Sequence, residues 1–165
     1  MKDELLDLQR RVARVPVPEK LADYILALIP VDRRYDTVPP MERSRDWMAQ
    51  AERDLGKARV DLEHGYHEWA CFTAHQAAEK ALKAVMERLG KVARGHSLLG
   101  LLQGLDDGDE ARLHGARVLD RYYLEARYPN GFPSGAPLDY FDEVLAREAI
   151  DAADAIVRFC RDHLG

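Results

Sequence analysis

Two apolar stripes run along residues 66–89, and they constrain the fold more than any other feature of the sequence. One stripe consists of alanines spaced three or four residues apart: Ala70, Ala74, Ala77, Ala81 and Ala84. The other contains mostly larger side chains: Cys71, Ala78, Leu82, Val85 and Leu89. A helix with two apolar faces is buried on two sides, and small side chains let a neighbouring helix approach closely. The segment is therefore predicted to be the central helix of a bundle.

The chain beyond Met41 follows helical periodicity almost throughout. Helices are predicted at about 43–64, 97–105 and 109–127, and a last helix is predicted to begin behind Asp139 as its N-cap. The predicted buried face of that last helix consists of Phe141, Leu145, Ala149, Ala152, Ile156 and Phe159. Alternating β-branched and aromatic runs, which are typical of strands, are missing. The predicted fold class is all-α: an antiparallel up-and-down helical bundle with a short helical N-terminal appendix.

A proline pair marks the predicted domain boundary. Pro39 and Pro40 close a linker that starts near residue 31, and the longer helical patterns begin after them. Residues 1–40 are thus predicted to be a helical N-terminal extension and linker, with short helices at about 2–13 and 18–29. Residues 41–165 are predicted to form one helical bundle domain, a size at which a single hydrophobic core is sufficient.

Charge and cysteine content narrow the class of protein. The sequence has 24 basic and 29 acidic residues, a formal net charge of −5, which disfavours a general nucleic-acid coat protein but leaves local basic patches possible. Its two cysteines, Cys71 and Cys160, cannot make a disulfide scaffold and are predicted to be reduced and buried. With no signal-peptide pattern at the N-terminus and no apolar run long enough to span a bilayer, the predicted localisation is cytoplasmic.

Several sequence runs resemble the HEPN domain family. They extend over about residues 42–163, and the run in the central helix is the most specific of them: Ser44–Trp47, Gln50–Leu55, Glu68–Phe72, Ala74–Ala84, Gly95–Leu98 and Glu125–Asn130. The resemblance implies a small helical bundle, commonly a homodimer, in a family associated with nucleotide binding, nucleotidyltransferase partners and toxin-type RNA cleavage. Residues 1–40 fall outside it. They faintly resemble the C-terminal helical lid of MoxR-type AAA+ ATPases without carrying any ATPase motif, so an adaptor that docks to an ATPase is a further alternative.

The resemblance leaves catalysis uncertain. Ribonuclease members of the family use an Arg followed, a little more than one helical turn later, by a His; the Arg neutralises the phosphate and the His handles the proton. Two pairs match formally, Arg59 with His64 and Arg158 with His163, which is about the number that chance gives at this arginine and histidine content. Neither flanks the loop before the last helix, where the active motif is expected, so the catalytic residues stay unknown.

Six residues are the candidates for ligand binding. Gln76, Lys80 and Lys83 form a polar strip on the central helix. His96 lies in a basic turn together with Arg88, Lys91 and Arg94, and Arg127 and Tyr128 end the helix before a Pro/Gly-rich loop. We expect them to bind the phosphate of a nucleotide or RNA. The structural alternatives are a solvated helix edge for the polar strip, a turn histidine held by backbone groups for His96, and pairing with helix-end carbonyls for Arg127. The rival function is a metal-independent endoribonuclease toxin that uses Arg127 with a distant histidine such as His96.

No metal site or cofactor is expected. His64 and His67 imitate zinc-ligand spacing but straddle Gly65 at a helix junction. His75 and Glu79 lie one helical turn apart, a spacing more typical of a surface pair than of two ligands. Glycine-rich loops of the Walker or dinucleotide-binding type do not occur.

Overall fold

The computed structural model describes residues 40–165 of the chain. The helices predicted at 2–13 and 18–29, the linker up to Pro39 and the segment compared with an ATPase lid lie outside the described residues. The predicted boundary between the N-terminal extension and the bundle therefore stays a prediction, although the first described helix does begin at Pro40.

Five α-helices make up the described part of the chain. They are α1 (Pro40–Glu63), α2 (His67–Arg88), α3 (Leu98–Gly104), α4 (Glu110–Glu125) and α5 (Glu143–Leu164). Between α4 and α5 lie two short 3-10 turns, Pro129–Gly131 and Pro137–Asp139. Residues 40–165 contain no β-strand, so the predicted all-α fold is confirmed. Helix α2 contacts each of the other four helices, as predicted for the central helix.

Polar contacts between helices fix the antiparallel packing of α1. Lys80 of α2 forms an ion pair with Asp54, and Thr73 Oγ1, two turns earlier, donates to the buried Asp61 carboxylate. Residue numbers therefore increase along α1 in the direction in which they decrease along α2, so the two helices are antiparallel. The same holds for α1 and α5, because Arg59 Nη2 lies 2.8 Å from Asp154 Oδ1 and Arg161 Nε lies 2.8 Å from Glu52 Oε1.

The alanine stripe of α2 is buried along its full length, as predicted. All five of its alanines have no exposed surface, and the second stripe is buried as far as Val85. Leu89 is a correction, since it is 57% exposed. The reason is local: α2 ends at Arg88, and Gly90 at φ +64° turns the chain away, with Lys91 N–H bonded to the carbonyl of Met86.

The start and the buried face of α5 differ from the prediction. The N-cap is Asp142, whose side chain accepts a hydrogen bond from Leu145 N–H at 2.9 Å. Asp139 instead closes the preceding 3-10 turn by accepting from Ala136 N–H. The buried face is also rotated from the predicted one, which contributes only part of it; the buried residues of α5 are Ala146, Ala149, Ile150, Ala153, Ile156, Val157 and Cys160.

Both cysteines are buried, as predicted. Neither Cys71 nor Cys160 is bonded to another residue, and burial in apolar surroundings raises the pKa of each thiol to about 12. Among the described residues, no helix is both long enough and apolar enough to cross a membrane.

Candidate functional site

A buried carboxylate on the central helix collects three of the predicted site residues. Glu79 accepts hydrogen bonds from Lys83 Nζ at 2.7 Å, from His96 Nδ1 at 3.1 Å and from Gln76 Nε2 at 3.3 Å. Burial alone would raise the pKa of Glu79, but the hydrogen bonds from Lys83 and His96 lower the pKa below its ordinary value. Glu79 is thus ionised at neutral pH, and it orients the side chains around it.

The backbone and the ring of His96 are both held in place. Its ring stacks on Tyr123 of α4, with centroids 4.6 Å apart and planes 16° from parallel. Its carbonyl oxygen accepts a hydrogen bond from His75 Nε2 at 3.1 Å. Two residues further along the chain, the N–H of Leu98 donates to Asp120 at 2.7 Å. The His96 side chain is nevertheless 54% exposed, and its Nε2 makes no hydrogen bond within the described residues.

His75 is not part of a surface pair, which corrects the interpretation drawn from its spacing to Glu79. Its side chain is fully buried beneath the turn that carries His96. Nε2 donates to the His96 carbonyl, and Nδ1 lies 3.3 Å from Gln76 Nε2, from which it accepts. The neutral imidazole with its proton on Nε2 satisfies both contacts. His75 therefore supports the site from below and does not contact solvent.

Arg127 lies against the same tyrosine as His96. The carbon at the centre of its guanidinium group is 4.6 Å from the Tyr123 ring centroid, 4.5 Å from that of Phe72 and 5.0 Å from that of Tyr128. Its Nε and Nη2 donate to the Tyr123 carbonyl at 2.8 and 2.6 Å, which satisfies an open carbonyl at the end of α4. Two hydrogen bonds to one oxygen fix the plane of the guanidinium, and Nη1 remains without a hydrogen bond in the described part of the chain.

Five of the six candidate residues form one connected cluster. Gln76, Lys83 and His96 meet at Glu79, and the Tyr123 ring joins His96 to Arg127 and, beyond it, Tyr128. Lys80 is the exception, because it pairs with Asp54 on α1. The two residues that hold the cluster together, Glu79 and Tyr123, were not among the candidates. The sequence did point to Glu79, because it lies within the segment that carries the two apolar stripes of the central helix. A carboxylate that is buried there needs hydrogen-bond or ionic partners.

The two formal Arg–His pairs lie elsewhere and do not form sites. Arg59 and Arg158 both bond to the carboxylate of Asp154, which therefore lies between them. His64 and His163 each donate from Nδ1 to a carbonyl of their own helix, four residues earlier, at 2.8 Å. These residues serve as solvated helix-end and inter-helix contacts.

Two arginines between the end of α2 and the start of α3 carry no ionic partner among the described residues. Arg88 ends α2 and Arg94 lies in the turn just before His96; both are exposed, and neither forms a hydrogen bond or ion pair with any other described residue. Lys91 of the same basic turn donates to the carbonyl of Gly104. Across residues 43–165, no group of three His, Cys, Asp or Glu side chains is arranged to hold a metal ion.

Comparison with known proteins identifies the family of the chain. The model of the HEPN domain matches residues 44–163. Among solved structures, the chain is similar to TT1696 from Thermus thermophilus, with 42% identity and a TM-score of 0.72 over 73% of this chain and 98% of that one. It is also similar to ST0689, an archaeal HEPN homologue, with 39% identity and a TM-score of 0.67 over 74% of this chain and 98% of that one.

A third similar structure is a HEPN domain protein, tm0613, from Thermotoga maritima, with 37% identity and a TM-score of 0.58 over 71% of this chain and 95% of that one. Among proteins with curated functions, none matches the chain. The family match covers most of the sequence and includes every residue of the Glu79–His96–Tyr123–Arg127 cluster. The resemblance drawn from the sequence is confirmed, and the chain belongs to the HEPN domain family.

Proposed function

We propose that this chain is a HEPN module that binds phosphate groups of a nucleotide or an RNA at the surface formed by His96, Arg127 and Tyr128, which we name the phosphate site. The observation that carries the proposal is that His96 and Arg127 both pack against the Tyr123 ring, each 4.6 Å from its centroid, and that each keeps a nitrogen without a hydrogen bond within the described residues. Arg127 offers a phosphate oxygen a fixed donor, and His96 offers a second one when both of its ring nitrogens carry a proton.

The remaining candidates act indirectly or not at all. Lys83 and Gln76 already donate to Glu79, so their contribution is to hold that carboxylate and, through it, the His96 ring. Lys80 is neutralised by Asp54 and is not part of the phosphate site. Narrowing the site to His96, Arg127 and Tyr128 follows from these partners, because a cation already paired with a carboxylate attracts a phosphate less strongly.

Local charge supports binding in spite of the overall charge. The chain carries a net charge of −5, so an approaching polyanion meets an unfavourable overall field. Arg94, exposed and without an ionic partner among residues 43–165, lies two residues before His96 and provides local attraction there. Because exposed charges are screened by salt, the affinity is expected to fall steeply between low and physiological ionic strength.

A binding titration with matched variants tests the proposal. Labelled single-stranded RNA and ATP are titrated against the parent protein, Arg127→Ala, His96→Ala and Lys80→Ala at two salt concentrations. We expect Arg127→Ala and His96→Ala to weaken binding and Lys80→Ala to have little effect. Arg53→Ala is the matched control, since Arg53 is exposed on α1 and forms no hydrogen bond or ion pair in the described part of the chain. Equal binding by Arg127→Ala, His96→Ala and the control would disprove the phosphate site.

One observation favours endoribonuclease activity as a second candidate. The Glu79 carboxylate lies 3.1 and 3.2 Å from His96 Nδ1 and so holds the proton on that nitrogen, which leaves Nε2 facing outward as a proton acceptor. A carboxylate that orients an imidazole is a recurring arrangement in general acid–base catalysis. In this proposal the ribose 2′-oxygen bonds to the neighbouring phosphorus while His96 Nε2 takes up the hydroxyl proton. The bond from phosphorus to the 5′-oxygen breaks, that oxygen leaves with a proton from water, and Arg127 neutralises charge on the phosphate.

Cleavage of a labelled RNA in the presence of a chelator tests this second candidate. We expect cleavage by the parent protein, loss of cleavage in His96→Ala and Arg127→Ala, and full activity in His64→Ala and His163→Ala, because those two histidines bond to their own helices. Toxicity on expression that disappears in Arg127→Ala would agree with the in vitro result. Tight RNA binding without cleavage would leave the binding module as the function.

Family membership supports two proposed protein partners, a second copy of this chain and a small nucleotidyltransferase. The first is tested by light scattering of the full chain across a range of concentrations, where a mass twice that of the 18.7 kDa chain is expected. The second is tested by co-purification with a nucleotidyltransferase encoded next to this gene, and the absence of any such neighbouring reading frame would argue against it.

A further inference from the structure

From the surface around Arg127 we infer that unpaired nucleobases stack on both sides of this residue, one on Trp69 and one beside Tyr128, so that the RNA of the proposed phosphate site is bound as a single strand. This inference rests on the proposed phosphate site and specifies its substrate class. The residues that form the base-binding surface are Trp69, Phe72, Tyr128 and Leu124; we name them the aromatic surface.

The aromatic surface is continuous and open to solvent. Trp69 is 46% exposed, and its ring meets that of Phe72 edge-on at 6.1 Å between centroids. Phe72 lies beneath the guanidinium of Arg127, which in turn lies 5.0 Å from the ring of the 51% exposed Tyr128. An exposed aromatic ring on each side of a fixed cation matches the alternation of base and phosphate along a single strand.

A hollow beside Tyr128 has the size and the polarity of a base site. It encloses about 350 Å³ and is lined by Leu124, Glu125, Tyr128, Asn130 and Gly131. Leu124 and Tyr128 offer apolar surface to the face of a ring, while the amide of Asn130 can hydrogen bond to a base edge. A small apolar-walled hollow with few polar groups is typical of a site for a flat organic ring.

The charges along the aromatic surface determine where the phosphate and the bases of a bound strand lie. Glu125 lines the hollow beside Tyr128, so that end of the aromatic surface repels a phosphate, and Trp69 gives the other end no cation. The cation lies between them, at Arg127. Phosphate at the centre and bases at the two ends is therefore the favoured arrangement. Stacking on an exposed ring requires a base whose face is free, which excludes duplex RNA.

Tryptophan fluorescence provides a direct test with the full chain. Trp47 and Trp69 are the two tryptophans of the chain, so Trp47→Phe leaves Trp69 as the sole reporter. We expect a short oligouridylate to quench Trp69, and an abasic oligomer of the same length and inorganic tripolyphosphate to leave it largely unquenched. If Trp47→Phe does not fold, the difference in quenching between the parent protein and Trp69→Phe gives the same quantity.

Affinity measurements separate this inference from the proposed phosphate site. Trp69→Ala is expected to weaken oligouridylate binding roughly tenfold, in line with the loss of one base–aromatic stack, and to leave tripolyphosphate binding within a factor of about two. Val60→Ala is the control, because Val60 is 47% exposed on α1, as Trp69 is on α2. If the abasic oligomer binds as tightly as oligouridylate while Arg127→Ala weakens both, the phosphate site stands and the base-stacking inference is wrong.

Two further outcomes would also overturn the inference. If neither tripolyphosphate nor oligouridylate binds, the phosphate site and the base-stacking inference both fail. If the emission of Trp69 shifts with protein concentration when no RNA is present, a second copy of the chain covers the aromatic surface, and the RNA assignment is replaced by a self-association surface.

Discussion

Ser97 donates a hydrogen bond of 2.8 Å from its hydroxyl to Asp120, and the same hydroxyl accepts one of 3.2 Å from Gly100 N–H as the N-cap of α3. Asp120, on α4, also accepts from Leu98 N–H, and its Oδ1 lies 3.6 Å from Nε2 of the buried His75. A single carboxylate thus ties α2, α3 and α4 together directly behind the turn that presents His96.

Replacing Asp120 by Asn should destabilise the domain in a pH-dependent way. Burial raises the pKa of Asp120, but the adjacent His75 ring and the hydrogen bonds from Leu98 and Ser97 lower the pKa below its ordinary value of 3.8. A carboxyl whose pKa is lowered by folding stabilises above its unfolded pKa, and this contribution disappears as the pH falls through the folded pKa. At pH 7 we expect Asp120→Asn to lose about 1–3 kcal/mol of unfolding free energy in urea titrations.

The difference between parent and Asp120→Asn should shrink once the pH falls below the folded pKa, because Asp120 is then neutral in both states of the parent. Asp151→Asn is the control, since Asp151 is exposed and has no hydrogen bond or ion pair within the described residues. A stability difference that stays constant across the acid range would contradict this account of Asp120.

Glu79→Gln should release His96 from its fixed orientation. The variant keeps the size of the side chain but removes its negative charge, so Lys83 and His96 face a neutral acceptor, and the new amide group replaces the oxygen that accepts from Gln76. Losing hydrogen bonds between charged groups is expected to reduce the unfolding free energy by about 1.5–3 kcal/mol. The specific readout is the nitrogen spectrum of His96, which should change from a proton held on Nδ1 to a mixture of tautomers.

RNA binding or cleavage should fall in Glu79→Gln together with this change. Glu87→Gln, on the same helix and without a hydrogen-bond partner among residues 43–165, is the matched control. An unchanged His96 spectrum together with reduced stability would assign Glu79 a purely structural role.

Over-packing of the alanine stripe should destabilise the bundle. Ala77 and Ala81 have no exposed surface on the central helix, so Ala77→Leu or Ala81→Leu forces neighbouring helices apart. The expected cost is about 1–3 kcal/mol, seen as a melting temperature lowered by several degrees. Ala49→Leu, at an exposed position of α1, should melt close to the parent temperature. Equal melting of the buried and exposed variants would mean that the stripe does not face the core.

Deleting residues 1–40 should leave a folded domain. The Thermus thermophilus structure matches this chain over 98% of its own length but over 73% of this chain, so a relative reaches the same fold without an equivalent of much of the remainder. We expect residues 41–165 to melt cooperatively with helical circular dichroism. An aggregated or unfolded product would show that the N-terminal segment belongs to the core.

Local sequence patterns were sufficient for the helices of the fold. The spacing of alanines identified α2 and its burial, because a helix periodicity depends only on neighbours along the chain. The last helix shows where this information ends. Asp139 and Asp142 both suit an N-cap, and Leu145 and Ala146 both lie on apolar faces of α5. Which residue caps the helix and which face is buried depends on how α5 packs against the other helices.

The sequence identified the basic residues of the candidate site but not the contacts that hold them together. Residue type pointed to His96 and Arg127, and the structure brings both onto Tyr123. The role of Glu79 depends on His96, 17 residues away, and such pairing is decided by tertiary packing. The buried His75 likewise lies 3.6 Å from Asp120 of another helix and bonds to the His96 carbonyl, contacts that the spacing within α2 does not reveal.

The ion pairs between α1 and α5 have a consequence for the order of folding. Arg59 with Asp154 and Glu52 with Arg161 join positions 95 and 109 residues apart, whereas Lys80 with Asp54 joins α1 and α2 across only 26. Because closing a long loop costs more chain entropy than closing a short one, the hairpin of α1 and α2 is expected to form early and α5 to dock onto it afterwards. Nascent chains would therefore expose the apolar side of the hairpin until the last helix has been synthesised.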